Sequence, residues 1–429
     1  MPMPTLTGRL SRMPLCRAAL LLVLAGVAGA VHAQPLTFDA ALGIAVRETP
    51  ALRAEAAQVD AARQMAIPAG ELPDPKLVFG IDSLPVQGRD RFSLTRDSMT
   101  MQRIGLMQEF PNRAKRTARV AVAQERVAQA QAQARITRLA VLRETALAWI
   151  ARAAVERQLE HIAALIEENR LFDAALRARL AGGMGSALDV LAPRQEAALI
   201  AARRDELAAR RQQAIAALSR WIGAHAQAPL SGAAPDWPID RDALERALHG
   251  HPELALFDPK GRVLDAEVAE AKAGKKPDWA LELAYQRRGA QFDDMVMLQV
   301  SFDLPVFAAT RQDPEIAARQ ALRLGLDAER EALLRDHAAL LESDFAEYQR
   351  LARAVERQRD VLLPLAAEKV DLALAGWRGG TGELTDLVLA RRERIDAELM
   401  AIALEGERQQ MAARLHFAYG EPELSGAMR

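Results

Sequence analysis

Apolar residues recur along this chain with two different periods. From Met295 to Asp303 the alternation is strict: Val296, Leu298, Val300 and Phe302 fall on one face, and Met295, Met297, Gln299, Ser301 and Asp303 on the other. Trp279, Leu281, Leu283 and Tyr285 oppose Ala280, Glu282, Ala284 and Gln286 in the same way. Upstream, Leu77, Phe79 and Ile81 oppose Val78, Gly80 and Asp82, while Ile104, Leu106 and Phe110 oppose Arg103, Gly105 and Glu109. A period of two predicts strands. At about nine residues each, they have the length that crosses a bilayer when tilted. Elsewhere the spacing is three or four. Leu139, Leu142, Ala146, Trp149 and Ala153 make a stripe, with Arg138, Arg143, Glu144 and Arg152 between its members. That pattern predicts helices in a coiled arrangement. Helices are expected over 37–69, 113–180, 241–274 and 315–377, the second and fourth each followed by a shorter one. At 1.5 Å per residue, the helices over 113–180 and 315–377 each reach roughly 100 Å. Pro364 falls inside the later one and should bend or locally break it.

The same landmarks are written twice. Asp39-Ala40-Ala41-Leu42 with Pro50-Ala51-Leu52 recurs as Arg241-Asp242-Ala243-Leu244 with Pro252-Glu253-Leu254. Pro73-Asp74 and Pro277-Asp278 each precede a strand, and Phe110-Pro111 and Leu304-Pro305 each precede a long helix. Gly183-Met184-Gly185 with Asp189 recurs as Gly380-Thr381-Gly382 with Asp386. The expected organisation is therefore a first repeat over 34–225, a linker over 226–238 rich in proline, glycine and small residues, a second repeat over 239–420, and a tail over 421–429. The fold class is mainly α with a small β part, built from a duplicated helix-strand-strand-long helix-turn-helix unit.

The N-terminus adds a compartment. Arg9, Arg12 and Arg17 precede an apolar run over 18–30, which ends in Val31-His32-Ala33 before Gln34. These are the parts of a secretory signal peptide over 1–33, cleaved after Ala33. The run is shorter than the roughly 20 residues of a spanning helix. The single cysteine, Cys16, lies ahead of the apolar core, so lipoprotein processing is not expected and the mature chain carries no disulfide. A net charge of −1 gives no basic field for nucleic acid. With aromatics at 4%, the composition favours long helices over a large globular core.

Four strands cannot close a membrane barrel, since the smallest have about eight. An open sheet in lipid would leave edge amides unpaired, at several kcal/mol each. Oligomerisation resolves this: three copies supply twelve strands and twelve helices. The alternative is a sheet in water with one wet face, in a periplasmic coiled-coil scaffold or adaptor protein.

No enzyme chemistry emerges. His161, His225, His249, His251, His337 and His416 are scattered, and His249-Gly250-His251 reads as a helix-end turn rather than a metal site. There is no phosphate loop, nucleophile elbow or zinc-protease helix, so no catalytic, cofactor-binding or metal-ligating residue is assigned. Met99, Met101, Met107, Met295 and Met297 concentrate on strands. Thioethers suit soft ions, but filling a narrow interior is the simpler and preferred explanation.

The duplicated turns, Leu180-Ala181-Gly182-Gly183-Met184-Gly185-Ser186-Ala187-Leu188-Asp189-Val190-Leu191 and Trp377-Arg378-Gly379-Gly380-Thr381-Gly382-Glu383-Leu384-Thr385-Asp386-Leu387-Val388, resemble those of the TolC-type outer-membrane efflux family, and the resemblance runs over the whole mature chain. It implies a homotrimeric twelve-stranded β-barrel in the bacterial outer membrane, continued through the periplasm by an α-helical coiled-coil barrel. It also implies a passive duct for small toxic solutes in a tripartite system with a periplasmic adaptor (membrane fusion protein) and an inner-membrane resistance-nodulation-division pump. Gly183, Gly185, Asp189, Gly380, Gly382 and Asp386 would form the periplasmic tips that close the tunnel and dock the adaptor. Val296, Leu298, Val300 and Phe302 would face lipid. Helix capping accounts for Asp189 and Asp386 as well as gating does. Arg194, Arg378 and Arg391 are candidates to offset their charge. Where the family can carry a second acidic residue, one turn after Asp386, this chain has Leu389. Pro73-Asp74-Pro75-Lys76, Asp82-Ser83-Leu84-Pro85-Val86 and Met107-Gln108-Glu109-Phe110-Pro111 resemble the heavy-metal, CzcC/CusC-like branch.

Overall fold

The structure, a computed structural model, describes residues 35–183 and 186–419. The expected signal peptide, Gln34, Gly185 and the tail over 421–429 lie outside the described residues.

Two helices open the chain where one was expected. Helix α1 (Phe38–Glu48) and α2 (Pro50–Ala66) meet at Thr49, which is extended at φ −62° and ψ 125°. Pro50 disfavours the helical conformation in the residue before it and offers no N–H to continue the ladder. The equivalent stretch of the second half divides into α5 (Arg241–Leu248), α6 (Pro252–Ala255) and α7 (Phe257–Ala273), with His251 extended ahead of Pro252. Pro50 and Pro252, equivalent landmarks of the two halves, are thus helix starts.

Between these lie strands β1 (Lys76–Asp82) and β2 (Met101–Phe110), helix α3 (Arg113–Ala181) and helix α4 (Leu191–Ile222). After α7 come β3 (Trp279–Arg287), β4 (Met295–Phe302) and α8 (Gln312–Arg357). Then follow α9 (Leu363–Arg378) and α10 (Leu384–Tyr419). Helix α3 has 69 residues, roughly 100 Å of shaft. Asn112 caps it by accepting the Lys115 N–H at 2.9 Å.

The second shaft is nearly as long but carries a seam. Residues Gln358–Leu362 form a π-helical turn between α8 and α9, and the Leu363 N–H bonds to the Gln358 carbonyl five residues back. Pro364 cannot donate, so the ladder changes spacing through one wide turn and the helix continues.

The strands form one antiparallel sheet in the order β1-β2-β3-β4. Its register aligns Leu77, Leu106, Leu283 and Leu298 in one row, and Phe79, Ile104, Tyr285 and Val296 in the next. A further row joins Phe110, Trp279 and Phe302.

The main core cluster belongs to the first half, joined by Ala413 and Phe417 of α10. Phe38, Leu142, Trp149, Ile150, Leu218 and Ile222 form its centre, with the Phe38 and Trp149 rings edge-on at 5.5 Å. The segment expected as a linker packs into this core. Leu36 N–H donates to the Pro229 carbonyl at 2.8 Å, Ala226 is buried, and Trp237 meets Phe38 at 5.7 Å. Arg152 is the surprise of the α3 stripe. Its spacing puts it on the polar side, yet it is fully buried, donating to the Ala226 and Ala228 carbonyls at 2.6 and 2.8 Å and to Glu156 at 2.8 Å. Those partners satisfy its guanidinium inside the core.

Candidate functional site

The sheet presents two chemically opposite faces. On one, Phe79, Leu106, Leu283, Val296, Leu298, Val300 and Phe302 are all exposed, Leu298 by 68%. Cross-strand alignment fuses them into one apolar surface, larger than the scattered apolar residues of an ordinary water-facing surface. The other face carries Asp82, Arg103, Glu282 and Gln286, with Met295, Met297, Gln299 and Ser301 in register on β4. There Arg103 lies 3.4 Å from both Asp82 and Glu282, so its charge is balanced within the chain.

At the far end of the shafts the chain reverses twice. Gly183 and Gly380 both adopt φ +73°, the left-handed conformation that costs an L side chain about 1–2 kcal/mol. In the second turn, the Gly380 N–H bonds to the Trp377 carbonyl at 3.3 Å and the Thr381 N–H to the Gly376 carbonyl at 2.9 Å, a complete Schellman ending. The first turn repeats the inner bond, from the Gly183 N–H to the Leu180 carbonyl at 3.0 Å. Gly382 has a different reason to be glycine. A Cβ there would sit 3.2 Å from the Gly376 carbonyl carbon.

The two tip aspartates differ. Asp189 accepts the Ser186 N–H at 2.9 Å and is half-buried, so it ties down its own turn. Asp386 lies exposed in the first turn of α10. Of the arginines expected to offset them, Arg194 and Arg378 are exposed, but Arg391 is not. Arg391 is buried and pairs with Glu168 of α3 at 2.8 Å and Glu196 of α4 at 3.3 Å, stacked over Phe172 at 4.6 Å. The reason is helical phase: five residues after Asp386, it points inward between the shafts rather than toward the turn. Arg394 joins the same knot through Glu168 at 2.7 Å.

Just behind the tips, a groove of 660 Å³ runs between α4 and α10. Leu188, Leu191, Leu199, Val388 and Leu389 line it, with Asp189 at its rim. Leu389, the residue in place of a second acid, is 52% exposed there.

Known proteins share this fold. Residues 41–224 match the model of the outer membrane efflux protein family. A membrane protein from Pseudomonas aeruginosa superposes with a TM-score of 0.75 at 18% identity, over 91% of this chain and 92% of that one. The outer membrane protein VceC from Vibrio cholerae gives 0.72 at 18% identity, over 89% and 96%. CusC, described as forming a transmembrane channel, gives 0.75 at 14% identity, over 89% and 92%. The fold is that of the outer-membrane channels. No curated protein sequence matches the chain.

Among the described residues no helix is long and apolar enough to cross a membrane. One cluster escaped the sequence. His251 and His337, 86 positions apart, face each other with ring centroids 4.1 Å apart, and Glu253 lies beside both. The adjacent His249 merely ends α5 and takes no part. Burial, reinforced by the neighbouring His337 charge, pushes the His251 imidazole down to about 4. Only the fold shows the pairing, because His337 comes from the middle of α8. The inward turn of Arg391 and the groove were likewise invisible to residue spacing.

Proposed function

We propose that this chain is a subunit of a passive efflux duct: three copies close a twelve-stranded barrel in the bacterial outer membrane, and their shafts form a tunnel through the periplasm. One observation carries this reading. A sheet with a continuous exposed apolar face and two open edges, β1 and β4, stands on shafts roughly 100 Å long. In lipid the apolar face is solvated, but the edge N–H and C=O groups are not. Pairing β4 of one copy with β1 of the next satisfies them, and such a head-to-tail contact closes as a ring. The polar face, with Arg103, Asp82 and Glu282, then lines the lumen, while Val296, Leu298, Val300 and Phe302 meet lipid.

The tips at Gly183, Gly185, Asp189, Gly380, Gly382 and Asp386 are the periplasmic end, where an adaptor linked to a resistance-nodulation-division pump docks. The groove between α4 and α10, leucine-lined with a charged border, is the receiving surface on each subunit. Transport is downhill through the duct, and the chain itself neither binds a cofactor nor catalyses a reaction. Heavy-metal cations are the proposed cargo class, supported by the Pro73-Asp74-Pro75-Lys76 and Met107-Gln108-Glu109-Phe110-Pro111 segments.

Fractionation with unheated gel electrophoresis tests the duct, and metal tolerance tests the cargo. The expected result is an outer-membrane species migrating as a trimer until boiled, whose deletion sensitises cells to divalent heavy metals. Recovery as a soluble periplasmic monomer contradicts the duct. Sensitisation to organic toxicants alone contradicts the cargo.

A further inference from the structure

We infer that His251, Glu253 and His337 form a binding site for one divalent transition-metal ion, zinc being the best match, which fastens the α5–α7 segment to the α8 shaft. The inference is independent of what the duct carries. It concerns an ion resident in the wall.

The donor set is the first argument. Two imidazoles and one carboxylate, each offering one ligand atom, lie within 4.8 Å of one another. Around a tetrahedral zinc, with bonds of roughly 2.0–2.2 Å, such donors stand about 3.3–3.5 Å apart. Small side-chain movements bring the cluster to that spacing, and a water completes the fourth position. His337 Nε2 already points at Glu253 Oε2 at 3.0 Å, so a cation takes the place of the proton between them.

The second argument is placement. His251 is 6% exposed and the His337 side chain 11%, so the lone pairs are held away from bulk water. Glu253 is more open, at 42%, and leaves a path for the ion to enter. The ligands come from two elements: His251 and Glu253 from the start of α6, His337 from α8. Tyr419 of α10 donates its hydroxyl to the His337 carbonyl at 3.2 Å and covers the rings. Arg143 on α3 sets a positive charge near His251, and Asp344 on α8 a negative one near Tyr419.

A cost is visible as well. His251 Nδ1 now accepts the Glu253 N–H at 3.2 Å as the cap of α6. On binding, Nδ1 holds either the metal or the ring proton, so that amide is released to water, an exchange of one weak cap bond for a metal bond.

The test uses untagged full-length protein in detergent, stripped with a chelator and titrated with ZnCl2 and, separately, CoCl2. One ion per chain should bind, raise the thermal midpoint, and give cobalt the visible absorption of a four-coordinate site. His251→Asn keeps a capping acceptor but removes the imidazole, and His337→Gln keeps a polar side chain of similar reach. Each should weaken zinc binding by more than about tenfold and abolish the cobalt bands. His161→Gln, at the single-histidine His161–Glu398 pair, should bind as the parent does. Absence of saturable binding in the parent, or its survival in both His251→Asn and His337→Gln, overturns the assignment.

Discussion

Arg391 on α10 reaches Glu196 on α4 at 3.3 Å, and this buried pair ties the return helices of the two hairpins together beside the groove. Both side chains are under 10% exposed, and Glu168 of α3 completes the knot at 2.8 Å from Arg391. Removing one partner of a buried pair leaves the other charge uncompensated, at about 3–5 kcal/mol. Arg391→Met should therefore loosen the tip while leaving the sheet intact. Hydrogen exchange should quicken in the first turns of α10 and in α4, but not in β1–β4. Adding Glu196→Leu should restore most of the protection, because no buried charge is then left unpaired.

Asp278 should make the junction between sheet and shaft acid-sensitive. It accepts the Asn112 backbone N–H at 2.7 Å, the Asn112 amide at 2.8 Å and the Lys115 ammonium at 2.9 Å. Burial alone would raise its pKa, but these donors outweigh it and hold the carboxyl below the usual aspartate range. A depressed carboxylate pKa stabilises the fold above the unfolded value and loses that contribution as pH falls below it. In thermal unfolding, Asp278→Asn should be less stable than the parent at neutral pH, and the difference should shrink as pH drops through 3.8 and below.

At the tips, Gly183→Val and Gly380→Val should each cost about 1–2 kcal/mol locally, because φ +73° is closed to a β-branched residue. Both variants should insert and trimerise but fail to complement efflux in a deletion strain. Complementation by both, with unchanged conductance in planar bilayers, contradicts a tip role for these turns.

Periodicity alone located the strands, their apolar faces and the long shafts, because alternation and heptad-like spacing are local signals. It overran at Thr49 and His251, where a following proline outvotes helical pattern. It misjudged Arg152 and Arg391, polar residues that the fold buries against carbonyls and carboxylates contributed from distant segments. The turn glycines were legible because a positive φ selects residue type directly. The His251–His337 approach and the α4–α10 groove were not, since each depends on how separate helices are laid side by side.

The central claim is that the apolar sheet face meets lipid in a barrel shared between copies. Leu298 and Gln299 are neighbours on β4 that point to opposite faces, aligned with Leu283 and Glu282 respectively. Arginine on a lipid-facing strand costs roughly 2–4 kcal/mol near the bilayer centre, and a trimer would incur that cost three times over. The most direct measurement is the yield of heat-resistant trimer in the outer-membrane fraction for Leu298→Arg and Gln299→Arg. Leu298→Arg should lose the trimer while Gln299→Arg assembles close to the parent level. Equal loss in both, or full assembly of Leu298→Arg, would contradict that claim.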